Sequence, residues 1–363
     1  MKIRFDSKRP PAGFALILVM CVILVLTVIV AGFAMSMKTE MTLARNADYD
    51  NELEWMGRSG IELARYQLAN KCPDANQRGV DSLDQAWAGG NSTCSNGVEN
   101  VPMQWDSGRG SFKITIVDME RKWNINRVAD PRAPQMDILK QAMQEVGVTD
   151  EEKASTIIDS IIDWISPAED AHFSGAKSEY YLSLNPPYTC KNGFVEDLSE
   201  LLLVKGMTPE IFWGTGATNH PESAYHQSGG ATTDTAAARG FRNDHPDVYP
   251  IGFEKLFSPM GGLLNINTAP PETLALIPGI DEPAAERIVQ QRSETPITRG
   301  EAIDGLPPVA AEAIWKYVGV SSSVFEVHVD AEINGYKRKF GGVVNRVGPS
   351  ASQTKCIRFY WED

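Results

Sequence analysis

From Phe14 through Met37 the chain carries no charged residue, and nearly every position is apolar. A helix rises about 1.5 Å per residue, so roughly 20 such residues cross a hydrocarbon core of about 30 Å. The run predicts one membrane-crossing helix at 14–37. Ahead of it Lys2, Arg4, Lys8 and Arg9 stand against a single Asp6, which places the N-terminus in the cytoplasm and everything after Met37 outside. The helix is expected to continue over 38–70. No proline interrupts it there, and Leu53, Met56, Ile61, Ala64 and Leu68 recur at helical spacing, with Gly57 and Gly60 as a local weak point. A rod from Phe14 to Asn70 would be about 85 Å long.

Further on, the period changes. Residues 71–107 are rich in Gly, Asn and Ser and read as loop. GSFKITIVD at 110–118 alternates, which predicts a strand, and 134–166 reads as helical. Val324 to Ile333 alternates again, Asn334-Gly335 is a hairpin signal, and two more strands follow at 336–347 and 355–361. Three antiparallel strands therefore close the chain, and the strand at Phe112 can join them. The predicted fold is α+β: a spine helix, a small antiparallel sheet formed from 71–119 and 321–363, and a large helical domain, 120–320, inserted into it. Inside the insertion, Leu203-Val204-Lys205-Gly206-Met207 parallels Leu276-Ile277-Pro278-Gly279-Ile280, which predicts two helix-hairpin-helix-type repeats with glycine at the left-handed turn position. Ala302 to Lys316 is a weaker echo. Residues 214–249 are nearly free of large aliphatics and read as a flexible surface loop.

Charge and cysteines narrow the partners. The chain has 363 residues and a net charge of −13. Such a balance argues against nucleic acid or an anionic membrane surface as partner of the outer part. The second hairpin raises a DNA-binding alternative, a membrane-anchored receptor. However, 271–318 holds Arg287, Arg292, Arg299 and Lys316 against eight acidic residues, too few cations to neutralise phosphates. Cys21 lies in the membrane run. Of the four outer cysteines, Cys72 and Cys94 bracket a Gly/Asn/Ser-rich segment and are expected to pair. Cys190 with Cys356 follows only by elimination. The five histidines show no zinc-protease spacing, and neither a G-x-S-x-G motif nor a phosphate loop is present, so an enzyme is not expected.

Several stretches carry a family resemblance. Gly13-Phe14 at the border of the basic arm and the apolar run resembles the class III signal of type IV pilins and type II secretion pseudopilins. The alternatives at this junction are a plain uncleaved anchor or a type IV pilus minor pilin. Leu18 stands at the fifth mature position, where most of that class carries Glu. With SGIELARYQL at 59–68, Asp163-Trp164, GAKSEYYLSLNPPY at 175–188, LSELLLVKGMT at 198–208 and LLNINTAPPETLALIPGI at 263–280, the chain resembles the K-type minor pseudopilins of bacterial type II secretion.

The resemblance implies a pseudopilin fold with an inserted all-helical domain. It also implies that a prepilin peptidase cuts after Gly13, discarding 1–13 as a leader, and methylates Phe14. The product would be a single-pass inner-membrane protein with its bulk in the periplasm. There it would cap the pseudopilus tip with I- and J-type minor pseudopilins, above the major pseudopilin, and help start assembly. Leu18 fits that end position, since a buried carboxylate there would need a partner amine from another subunit. Calcium in the helical domain is implied as well, with Asp163, Asp170 and Glu179 as ligands among an acidic loop that also holds Glu169. Ser166 and Lys177 depart from the acidic residues expected at those two positions.

Overall fold

The computed structural model describes residues 12–69, 79–90, 104–106, 108, 110–214, 249–303, 306, 312–348 and 353–362. Helix α1 runs unbroken from Ala12 to Ala69, 58 residues, and joins the predicted membrane segment to the predicted spine. Its two halves face different surroundings. Leu16 to Leu43 are exposed on all sides, whereas Leu53, Gly57, Gly60, Ile61, Ala64 and Leu68 form a buried stripe. Met56 is only half-buried.

That stripe packs on one face of a five-stranded sheet. The strands are β1 (Gln104–Asp106), β2 (Gly110–Asp118), β7 (Val324–Ile333), β8 (Tyr336–Arg346) and β9 (Thr354–Glu362), antiparallel and side by side in that order. Alternation puts Phe112, Ile114, Ile116, Phe325, Val327, Val329, Phe340 and Val344 against α1. The β7–β8 turn is Asn334-Gly335, with φ of 51° and 82°, the left-handed pair that a two-residue hairpin requires. The bounds of β2, β7, β8 and β9 fall within two residues of those the alternation predicts, whereas the three-residue β1 lies inside the 71–107 stretch that reads as loop.

The expected weak point at Gly57 and Gly60 is a close contact instead. A Cβ on Gly57 would lie 2.5 Å from Cγ of Phe340, and one on Gly60 would lie 2.8 Å from the methyls of Val329. The helix sits so near the sheet that only hydrogen fits at these two positions.

Between β2 and β7 the chain makes a separate core. Helices α2 (Ile125–Val128), α3 (Met136–Val146), α4 (Glu151–Ile165), α5 (Ser178–Leu182), α6 (Pro209–Trp213), α7 (Phe253–Leu256), α8 (Pro271–Leu274) and α9 (Glu282–Glu294) surround Ile138, Leu139, Met143, Ile157, Ile161, Phe253 and Phe257. The insertion is not purely helical. Two parallel pairs, β3 (Trp123–Asn124) with β4 (Phe257–Ser258) and β5 (Leu264–Asn265) with β6 (Val318–Gly319), tie its start and its end to the same middle segment. Two-residue strands are too short to leave an alternating pattern.

The parallel segments seen in the sequence both turn at glycine, Gly206 with φ 86° and Gly279 with φ 87°. They differ in what flanks the turn: a 3₁₀ segment (Leu198–Leu203) and the five-residue α6 in one, the four-residue α8 and the 13-residue α9 in the other. Within the 302–316 echo, residues 304–305 and 307–311 lie outside the described residues. So do 215–248 of the polar loop, whose ends meet where Gly214 packs on the backbone of Gly252.

Candidate functional site

Three features of the fold bear on function: the spine, the junction between sheet and insertion, and the acidic loop after α4. The spine begins with an apolar segment that is long and greasy enough to cross a membrane, with a window of mean hydropathy 3.2 and no part of it buried by the rest of the chain. Gly13, Phe14 and Leu18 all lie in its first turns. Leu18 is exposed, with no part of the described residues covering it. Residues 1–11, most of the expected leader, lie outside the described residues, as do Cys72 and Cys94.

The direction of the spine fixes which end of the sheet lies farther from the apolar segment. Near the membrane segment, Asp50 accepts hydrogen bonds from Tyr336 Oη at 3.1 Å and Arg338 Nε at 3.0 Å, beside the β7–β8 turn. At the other end, Arg346 Nη1 reaches the Leu68 carbonyl at 3.3 Å. Eighteen helical residues separate Asp50 from Leu68, about 27 Å. The insertion departs after Asp118 and returns before Phe325, which are paired across β2 and β7 at that distal end.

A buried polar network fastens the insertion there. Asp118 caps a 3₁₀ turn by accepting from Glu120 N at 2.8 Å. Its other oxygen accepts from Ser322 Oγ and Thr268 Oγ1, both at 2.6 Å, and from Asn265 Nδ2 at 3.1 Å. Burial pushes this carboxyl up to about 6; the hydrogen bonds from Ser322, Thr268 and Glu120 pull the other way and only limit the rise. Next to it, Asp81 accepts from Ser322 N at 2.8 Å and pairs with Arg346 Nη2, which also donates to the Ser322 carbonyl at 2.6 Å. The Arg346 guanidinium lies over the Phe325 ring, 4.9 Å from its centroid. Glu120 takes Ser323 Oγ at 2.6 Å and Gly262 N at 2.9 Å. Residues from five separated stretches thus share one cluster, which sequence spacing alone does not reveal.

The expected metal ligands are not brought together. Asp163 is wholly buried on the last turn of α4, with Oδ1 2.6 Å from His172 Nδ1 and Oδ2 3.0 Å from His172 N. Asp170 and Glu179 are exposed, as is Glu169. Those three line an open cleft with Lys177, Tyr180 and Asn192. Among the described residues no group of three or more His, Cys, Asp or Glu side chains is placed to hold a metal ion. As a calcium cage the set does not fit, because its one buried carboxylate is committed to His172 and a lysine lies among the remaining oxygens.

The pairing of Cys190 with Cys356 is not formed, and both are free thiols. Cys190 is buried in the insertion, 3.7 Å from the Asp163 carbonyl, while Cys356 lies on the edge strand β9. Burial pushes both thiols up, away from the reactive thiolate.

A lone N-terminal apolar helix whose outer half is clamped to a small antiparallel sheet defines a pilin-like subunit, here with a helical domain looped out of the sheet. Residues 121–213 and 264–320 match the two domains of the family described as type II secretion system (T2SS), protein K. The two matches, with the relatives and the fold below, support that family for this chain. It is 23% identical over 363 residues to the type II secretion system protein K of Aeromonas hydrophila, covering 94% of each chain. It is 27% identical over 208 residues to the protein K of Pseudomonas aeruginosa, covering 54% of this chain and 58% of that one. With the putative protein K of Escherichia coli K12 it shares 22% over 207 residues, 59% of that protein's length. In structure it is similar to a chain of the GspK-GspI-GspJ complex from enterotoxigenic E. coli, with a TM-score of 0.60 at 16% identity, over 88% of this chain and 99% of that chain. At that identity the likeness speaks for the fold.

Proposed function

We propose that this chain is a structural minor pseudopilin of the type II secretion system. It caps the periplasmic tip of the pseudopilus and helps to initiate its assembly. The observation that carries the reading is the polarity of the spine: the insertion springs from the sheet end farthest from the membrane segment. A subunit with some 200 extra residues on top of its sheet can stand at the end of a thin fibre but crowds any copy stacked above it. Leu18 agrees with this position. A family Glu there serves a neighbour's terminal amine, and an aliphatic side chain makes no such demand on the next subunit.

In this reading a prepilin peptidase removes 1–13 and methylates Phe14. The apolar half of α1 stays in the inner membrane until it packs with other pseudopilin helices. The I- and J-type minor pseudopilins are the partners at the tip, in keeping with the complex that contains the similar chain. The role is architectural, and cleavage at Gly13 is done to the protein.

Two measurements test it. Mass analysis of the chain extracted from membranes is expected to find a methylated Phe14 N-terminus. Leu18→Glu is expected to impair secretion or displace the protein from the tip complex. An intact Met1 start with normal secretion would refute processing, and unchanged tip assembly in Leu18→Glu would refute the end-position role.

A further inference from the structure

Helix α4 ends on a hydrogen-bonding problem. In a continuing helix the Asp163 carbonyl would accept from the amide four residues on, but that residue is Pro167, which has no N–H. The gap is filled by a side chain from across the loop. Lys177 Nζ donates to the Asp163 carbonyl at 2.6 Å, the Ser166 carbonyl at 2.7 Å and Asn192 Oδ1 at 3.0 Å. An ammonium has three donors, and here all three are used. Lys177 is buried, with 7% of its surface exposed. Its charge sits at the carbonyl end of a 15-residue helix, where the backbone dipoles favour a cation.

The surroundings match a cation that is already in place. Three oxygens converge on one point, two from the main chain and one from an amide. The nearby Asp163 carboxylate turns away from that point to hold His172. Gly175 closes over the carboxylate so tightly that a Cβ would come within 1.9 Å of Oδ2. Ser174 N is fixed to Asp159 Oδ2 at 3.2 Å, and Lys205 Nζ spans the Ser174 and Gly175 carbonyls at 3.2 Å each. A calcium ion takes six to eight oxygens, several of them carboxylate, and here it would meet an ammonium instead.

We propose that Lys177 stands in for a metal ion: its tethered ammonium organises the loop from Ser166 to Lys177 and the Asn192 segment on the end of α4, so this domain needs no calcium. The test uses the full-length chain in detergent. The melting temperature of the native protein is expected to be the same in EDTA and in about 5 mM calcium chloride, a concentration above the weakest extracellular calcium affinities. Calorimetric titration with calcium chloride is expected to give no binding. Lys177→Met keeps the stem and removes the charge, and is expected to lower the melting temperature by about 5 °C. Should that variant fail to accumulate, Asn192→Ala removes one of the three acceptors and is expected to speed amide exchange across 166–177. Calcium binding to the native chain, or a calcium-dependent rise in its melting temperature, would overturn the proposal. An unchanged melting temperature in Lys177→Met, or unchanged exchange in Asn192→Ala, would overturn it equally.

Discussion

The contact of Gly57 with Phe340 sets two effects of known size against each other. Replacing glycine by alanine inside a helix gains about 1 kcal/mol from backbone propensity. Forcing a methyl into a packed core costs about 1–3 kcal/mol. Here the added carbon would sit 2.5 Å from Cγ, 2.6 Å from Cδ2 and 3.1 Å from Cβ of Phe340. Those atoms are the root of a wholly buried ring that also stacks on Phe359, with centroids 5.8 Å apart, so the ring has little freedom to yield. The rooted position of the clash puts the cost at the upper end, so packing should win, and Gly57→Ala is expected to destabilise the sheet by up to about 2 kcal/mol net of propensity. Adding Phe340→Leu shrinks the ring and should recover part of the loss, giving a favourable coupling of about 1 kcal/mol in a double-mutant cycle. Denaturant unfolding, with amide exchange read on β7 and β8 to assign the change to this core, measures both quantities. A stabilised Gly57→Ala, or strict additivity with Phe340→Leu, would refute a close-packed spine.

Other outcomes follow from the junction. Asp118 ionises near 6 in the folded chain against 3.8 in the ordinary carboxylate, so its contribution to stability is complete below about pH 4 and is lost as pH rises through 6. The gap of about two pH units is worth about 3 kcal/mol. The difference in stability between the native chain and Asp118→Asn should therefore shift by that amount between pH 4 and 7, measured by denaturation midpoints at each pH, and a constant difference would contradict it. Asp81→Ala leaves the buried Arg346 guanidinium without its ion partner and should cost about 3–5 kcal/mol, read as a lowered midpoint for the sheet.

The outline of the fold was legible because its long elements have strong periods. Leu53, Ile61, Ala64 and Leu68 mark the buried face of α1, and the alternation from Val324 to Ile333 marks the central strand, in both cases at the positions found. Legibility failed where a residue acts through distance in sequence. Gly57 and Gly60 look like helix breakers until Phe340 and Val329 are placed opposite them. Asp81, Asp118, Asn265, Thr268, Ser322 and Arg346 carry no shared motif, and only the return of the chain to the same end of the sheet unites them. Asp163, Asp170 and Glu179 appear as neighbours along the chain, yet burial separates the first from the other two. A lone lysine in an acidic loop gave no hint that its amine would replace a missing backbone donor; Pro167, four residues after Asp163, was the available signal.

The side-by-side departure and return of the insertion has a consequence for how such proteins diversify. Asp118 and Phe325 already stand opposite each other on adjacent strands, so a short turn could bridge them and leave the sheet's ladder intact. The helical domain is in that sense a graft on a complete rootstock. Swapping or deleting it changes what stands on top of the sheet, while the spine helix and the strands packed on it keep their shape.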